Sequence, residues 1–460
     1  MKKLLLLNPP GTKKYMRDYY CSRVSKAKYF YHPMDLVYLS GWLSPYFELS
    51  VIDAIAEQIT PQETFERISK INPDAVVFLI SAPSYYEDID FFTKLKQKLP
   101  NALFVGGGDI YRELKGNAFK EQPWLDAIYL DFSTDNVVKF FNGPKGKKIE
   151  NIIYKYGKKV IDGGEVRTWG KTDMPVPRWE LFPLKNYSFP FSRHKMVATI
   201  LTDYGCAYNC MFCPMSTIGF KLRNTETVVQ ELKLLQSLGI RDLFIKDQTF
   251  GVNKNRTYEL FDAMESAGLK FGWTCFSRVD VVNEELISRM KQAGCNTIMF
   301  GIESANESTL KEYNKNTKVE QMLNAVKICR KYKIQVVGTF IIGLPGESEE
   351  QIMNTIEFST KLGLDFASFN IATPRFGSPI REKGIKENLV DIEERRLDSA
   401  KSMPVWKNRD ISNEEIFKLQ RKAIKHFYLR PAYLMKRLFN VRTPYEFTRN
   451  FEEAFSLLAK

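Results

Sequence analysis

The sequence predicts an α/β protein: an N-terminal Rossmann-like, doubly wound parallel sheet, then a partial (β/α)6 TIM-like barrel and a helical C-terminal segment. Three observations predict it. Over the first 142 residues, short apolar runs alternate with helix-length amphipathic runs. The alternation breaks in a Pro/Gly-rich stretch and resumes at Val197. Three cysteines then crowd into eight residues at the end of a predicted strand, where barrels of this kind carry their chemistry.

In the first region, strands are predicted at residues 3–7, 49–53, 75–80, 103–106 and 127–130, with helices between them at 61–71 and 87–98. Thr60-Pro61-Gln62-Glu63 starts a helix, because threonine caps, proline suits the first helical position and Glu63 completes a capping box. Strands that alternate with helices of this length form parallel sheets, whose ligands sit beyond the strands' carboxyl ends. Those ends carry Asn8-Pro9-Pro10-Gly11, Ser81-Ala82-Pro83-Ser84 and Gly106-Gly107-Gly108-Asp109. A triple glycine lets backbone approach a ligand; it also makes a plain tight turn.

Residues 143–195 read as a linker, with Gly143-Pro144, Gly163-Gly164 and prolines 175, 177, 183 and 190 around a small hairpin at 152–161. The barrel is assigned to residues 196–380. Its strands are predicted at 197–202, 242–246, 271–276, 297–302, 335–342 and 366–372, with helices at 225–238, 254–266, 284–292, 319–331 and 349–362. Six strand–helix steps fall short of the eight of a closed barrel, so one side is open. Residues 381–460 read as a basic helical domain, with 13 Lys/Arg against 6 Asp/Glu over 401–460.

Composition bounds the function. A hydrophobic content of 44% with 26% charged residues suits a globular protein, and no apolar run reaches the length of a spanning helix. The run after Met1-Lys2-Lys3 ends at Asn8-Pro9-Pro10, which suits a buried strand rather than a leader. Seven cysteines with three clustered imply a reduced, cytoplasmic protein with one metal or cluster site, not a disulfide framework. The net charge of +13 is spread along the chain, which argues against a dedicated nucleic-acid surface. The aromatic and apolar residues Phe427, Tyr428, Tyr433, Leu434, Met435 and Leu438 read as a cover for the barrel's open side, or else as a peripheral membrane contact for a lipid-like substrate.

The central string is Gly205-Cys206-Ala207-Tyr208-Asn209-Cys210-Met211-Phe212-Cys213-Pro214. Structural zinc sites take four ligands, commonly in two pairs, and the cysteines at 21, 275, 295 and 329 supply no second pair. A 4Fe-4S cluster on three thiolates leaves one iron open for a ligand. On spacing alone, zinc or a purely structural cluster stays open.

Cys-x3-Cys-x2-Cys with an aromatic residue before the third cysteine resembles the signature of the radical S-adenosylmethionine (radical SAM) superfamily. The resemblance implies that Cys206, Cys210 and Cys213 hold a 4Fe-4S cluster whose open iron chelates S-adenosylmethionine. The electron would come from an external donor such as flavodoxin or ferredoxin. It further implies that Phe212, Asp247, Arg278, Glu303, Ile341 and Gly343, at or just after successive strand ends, bind S-adenosylmethionine. The opening Leu-Leu-Leu-Leu-Asn-Pro-Pro, Pro33-Met34-Asp35-Leu36, Val51-Ile52-Asp53-Ala54, the glycine turn and Phe427-Tyr428-Leu429-Arg430-Pro431 resemble the cobalamin-dependent group, which includes C-methyltransferases and the anaerobic magnesium-protoporphyrin cyclase. That likeness implies cobalamin on the first domain, near Asn8, Pro9, Ser81, Gly106, Gly107 and Gly108. The implied reaction is methyl transfer to an unactivated carbon, with cyclisation or rearrangement as the alternative. A non-catalytic cluster protein or an RNA-binding module is the reading from another class.

Three features depart from that group. The Asp-x-His-x-x-Gly motif is missing, so His32, beside Pro33, is expected in a turn or at the surface. Asp131-Phe132-Ser133-Thr134 stands where relatives often carry Gly-Glu-Gly-Glu. Residues 13–28 are basic and tyrosine-rich.

Overall fold

The computed structural model describes residues 2–18, 20–26, 29–398, 403–407 and 411–439, with backbone alone for 436–439. Two parallel sheets dominate. The first contains β1 (Lys3–Asn8), β2 (Glu48–Asp53), β3 (Ala75–Leu79), β4 (Leu103–Gly107), β5 (Ala127–Tyr129), β6 (Ile152–Tyr156) and β7 (Lys159–Asp162), in the order β2-β1-β3-β4-β5-β6-β7. β2 through β5 are parallel; β6 and β7 add antiparallel. The hairpin expected in the linker thus extends the first sheet.

β1 shows why this sheet is covered on both faces. Leu5 and Leu7 enter a core with Phe78, Phe92 and Trp124, while Leu4 and Leu6 enter the larger core shared with the barrel. Such two-sided burial requires continuous apolar runs rather than alternation. The helix Pro61–Ile71 starts on its expected capping box, with Thr60 and Glu63 bonding reciprocally.

The barrel contains β8 (Val197–Ile200), β9 (Asp242–Ile245), β10 (Gly272–Ser277), β11 (Cys295–Glu303), β12 (Gln335–Ile342) and β13 (Phe366–Ile371). They pair in chain order and all in parallel. β8 and β13 do not pair with each other, so the barrel is open. The helix Asn413–Tyr428 packs on the β13 side: Gln420 donates to Phe369 O, Tyr428 OH to Ala367 O, and Phe427 is fully buried. Of the residues weighed as a membrane face, Phe427 and Tyr433 are therefore buried, while Leu434 and Met435 are exposed. Leu438 lies outside the described side chains. No helix among the described residues is long and apolar enough to cross a membrane.

A small sheet, unforeseen in the sequence, frames the cysteine loop. Asp203–Gly205 pairs antiparallel with Gly219–Arg223, which pairs parallel with Thr168–Thr172. Behind it, Arg223 Nη1 donates to Glu231 Oε2 (2.6 Å) and to Tyr38 OH (3.0 Å), and Trp179 Nε1 donates to Glu231 Oε1 (2.9 Å). This buried network ties the first domain, the linker and the barrel together.

His32 corrects its expectation. It is fully buried, stacked on Tyr187 at 3.7 Å and edge-on to Trp179, and burial alone depresses its pKa to about 3. Proline beside it suggested a turn; the aromatic linker residues that enclose it come from more than 140 positions away. The Asp131–Ser133 turn also has a local function. Asp131 Oδ2 and Ser133 Oγ accept from Lys221 Nζ at 2.9 and 2.8 Å, which docks the first domain on the small sheet.

Candidate functional site

The cysteine loop leaves the carboxyl end of β8. Gly205 starts it with φ +94°, and a Cβ there would lie 2.1 Å from Gly219 O, so only glycine fits. Cys206 N then donates to Gly219 O at 3.0 Å, and Cys213 N to Cys210 O at 3.1 Å. Met211 is braced from both sides, donating to Tyr313 O and accepting from Ile380 N. Cys210 is buried, and Cys206 and Cys213 are partly buried. Burial and neighbouring sulfurs push the Cys206 and Cys213 thiols up, while Thr249 tempers Cys206 by hydrogen bonding. Thiols held up in this way give up their protons to a metal centre, whose positive charge stabilises the thiolates. A cluster takes one thiolate per iron, and three cysteines on one short loop supply three such ligands. The donor set fits a cluster.

Around this loop, Arg278 stacks on the Tyr208 ring at 3.8 Å, and its Nη1 lies 3.6 Å from Cys210 Sγ. Its Nη2 donates to Lys315 O at 2.8 Å. Lys315 Nζ in turn pairs with Glu303 at 3.3 Å. Glu303 has φ +65° and follows a register shift in β11. Left-handed backbone at a non-glycine residue is strain of the kind found at working sites. Phe212 and Ile341 share one apolar cluster with Tyr313, Leu344 and Trp406. Gly343 is covered by Ile416 of the C-terminal helix. Asp247 is turned toward the backbone, with Oδ1 accepting from Thr202 N and Asp203 N. Burial raises its pKa to about 6, and burial beside Asp247 drives Asp203 well above the carboxylate range.

The strand ends of the first sheet face this mouth, and the chain's own residues 12–18 and 20–26 lie between. At the β1/β3 switch point, Arg17 donates to Asn8 Oδ1, Pro9 O and Pro10 O and is paired with Asp88 at 2.6 Å. Ser81 N donates to Asp88, and Asp109 accepts from Ala82 N and Ser22 N. Cβ atoms on Gly106, Gly107 and Gly108 would strike Tyr111, Tyr129 and Ile80 O respectively. On the barrel side, Asp18 pairs with Lys246, and Gln248 donates to Tyr20 OH. A cavity of about 10 Å³, room for one water, remains beside Asp18, Asp203 and Asp247.

Sequence reasoning missed Tyr208, Asp280, Lys315 and Asp203. One signal was present: Asn314-Lys315-Asn316 flanks a buried lysine with two asparagines, and both adopt the left-handed backbone that Asn tolerates.

A partial parallel barrel of six strands with three cysteines on the loop after its first strand is an arrangement suited to a redox cofactor. The radical SAM superfamily model matches residues 200–359. An uncharacterised methyltransferase of Pyrococcus horikoshii is 31% identical over 424 residues, 88% of this chain and 90% of that one. An anaerobic magnesium-protoporphyrin IX monomethyl ester cyclase of Cereibacter sphaeroides is 23% identical over 417 residues, 87% of this chain and 67% of that one. Among solved structures, the radical S-adenosylmethionine methyltransferase TsrM of Kitasatospora setae, with cobalamin and a 4Fe-4S cluster bound, superposes with a TM-score of 0.69. That match covers 100% of this chain and 99% of TsrM at 15% identity, and it speaks for the fold. The chain belongs to the radical SAM superfamily. It is an enzyme of that class, with a 4Fe-4S cluster and S-adenosylmethionine as cofactors and a need for an external reductant.

Proposed function

We propose that the protein cleaves S-adenosylmethionine at a cluster on Cys206, Cys210 and Cys213 and directs the radical to methyl transfer onto an unactivated carbon, with cobalamin on the first domain. One observation carries this reading. The carboxyl ends of both sheets converge, as the Asp18–Lys246 and Tyr20–Gln248 contacts record, so the cysteine loop faces the ligand edge of the first domain. The methyltransferase names of the Pyrococcus relative and of TsrM support the reaction type.

When bound, the cluster supplies the electron that splits the sulfonium to a 5′-deoxyadenosyl radical. The chain's own residues do the rest. Phe212 and Ile341 offer an apolar wall for the adenine. Arg278, Glu303 and Lys315 form one connected polar set beside Cys210, suited to the charged and hydroxyl groups of S-adenosylmethionine. Asp247 and Gly343 shape the site from below, through the Thr202-Asp203 backbone and the C-terminal helix. Burial excludes water from the radical.

Asn8, Pro9, Ser81, Gly106, Gly107 and Gly108 would hold cobalamin, which supplies the methyl group. In the closed arrangement Arg17, on the segment that follows β1, is bonded to Asn8 and Pro9, so that segment has to move first. The same observation favours a second reading: radical cyclisation or rearrangement without methyl transfer, as in the cyclase relative. A small-molecule substrate, a flavodoxin- or ferredoxin-type donor and a reducing, cytoplasmic setting complete the proposal. The products formed from S-adenosylmethionine separate the two readings. S-adenosylhomocysteine released alongside 5′-deoxyadenosine supports methyl transfer, whereas 5′-deoxyadenosine alone from protein that turns substrate over leaves the second reading.

A further inference from the structure

Arg278 is held more tightly than a residue waiting for a ligand needs to be. It follows β10 and is 5% exposed. Its Nε and Nη2 donate to the two carboxylate oxygens of Asp280 at 2.9 and 2.8 Å. Nη2 also donates to Lys315 O at 2.8 Å, the guanidinium lies 3.8 Å from the Tyr208 ring centroid, and Nη1 points at Cys210 Sγ from 3.6 Å. A guanidinium has five N–H groups. Four are committed to Asp280, Lys315 and Cys210, and one on Nη1 is left.

We propose that Arg278 is a positioning residue of the cluster itself: its N–H bond to the Cys210 sulfur sets the reduction potential, beyond any contact with S-adenosylmethionine. This rests on the cluster reading above. Reduction adds a negative charge that thiolate ligands share, and a cationic donor on one of those sulfurs stabilises the reduced form. The contact is buried, so solvent screens it little. The Asp280 fork and the Tyr208 face fix the plane of the guanidinium, and lysine cannot reproduce that geometry. Glu303 joins the same set through Lys315, so its carboxylate is tied to the group that touches the sulfur.

The test is an EPR-monitored redox titration of the reconstituted full-length protein without S-adenosylmethionine. Wild type, R278Q and R278K are compared after iron and sulfide analysis, and the dissociation constant for S-adenosylmethionine is measured separately. The expected result is an assembled cluster in each, with the midpoint displaced to more negative potential in R278Q and by less in R278K. An assembled R278Q cluster with an unmoved midpoint overturns the proposal, all the more if its affinity for S-adenosylmethionine falls. Loss of the cluster from both variants with native circular dichroism also overturns it, since Arg278 would then be supporting the loop. A wild type that takes up no cluster at all would sink the functional reading itself.

Discussion

The carboxylate of Asp18, ten residues beyond β1, is paired with the ammonium of Lys246 at the end of β9, and both are buried where the two sheets' carboxyl ends meet. Lys246 also lies over the rings of Tyr20 and Tyr31, about 5 Å from each centroid. With the Tyr20–Gln248 contact, the pair joins the segment that follows β1 to the mouth of the barrel.

Removing one partner of a buried pair strands the other, at a cost of about 3–5 kcal/mol. D18N is therefore expected to open the segment without unfolding the barrel. Hydrogen exchange should show faster exchange over residues 12–26 and unchanged protection in β9–β12. The double variant D18L/K246M should recover protection, because no charge remains buried. Unchanged exchange in D18N would mean that the remaining contacts, those of Arg17, Ser22 and Lys26 among them, hold the segment without the pair.

Gly301 leaves room for the Glu303–Lys315 pair. A Cβ there would lie 2.3 Å from Glu303 Oε1 and 2.7 Å from Lys315 Nζ. G301A should therefore part the pair and weaken S-adenosylmethionine binding by about tenfold, or ~1.4 kcal/mol. Isothermal titration against cluster-loaded protein measures it; affinity equal to wild type would remove Glu303 from the cofactor site.

Glu347 links the loop after β12 to the loop after β11, accepting from Leu344 N at 3.0 Å and from Ser304 Oγ at 3.4 Å. Burial raises its pKa from 4.5 to about 7. The native state thus keeps this proton to higher pH than the unfolded chain does. The group's contribution to stability is complete below about pH 4.5 and lost as pH rises through 7, a decline of about 3 kcal/mol. E347Q keeps an acceptor for Leu344 and loses the charge. Its stability relative to wild type, from denaturant unfolding, should rise by that amount between pH 4.5 and 8. A pH-independent difference would show that the carboxyl titrates normally.

Much of this was legible because it is local. The helices Lys254–Ser266, Glu284–Gln292 and Val319–Lys331 match their predicted bounds, since capping residues and helical periodicity lie within each segment. Strand ends carry the cysteines, Arg278 and Glu303 for the same reason: the strand–helix rhythm alone places them on one rim. What could not be read is pairing at a distance. Asp18 meets Lys246 across 228 positions, and residues 13–28 looked merely basic and tyrosine-rich until their partners were known. The hairpin at 152–162 could not announce that it would join β5, because edge pairing depends on which strand is left free. Gly106-Gly107-Gly108 was read as a ligand turn or a tight turn, and Tyr111, Tyr129 and Ile80 pack where added side chains would go.

The most direct test of the central claim is release of 5′-deoxyadenosine by anaerobically reconstituted protein given S-adenosylmethionine and a strong reductant. The account predicts release by the wild type and none by C210A, with C210A retaining native circular dichroism. A wild type that carries a full cluster, is reduced, and releases no 5′-deoxyadenosine would contradict it.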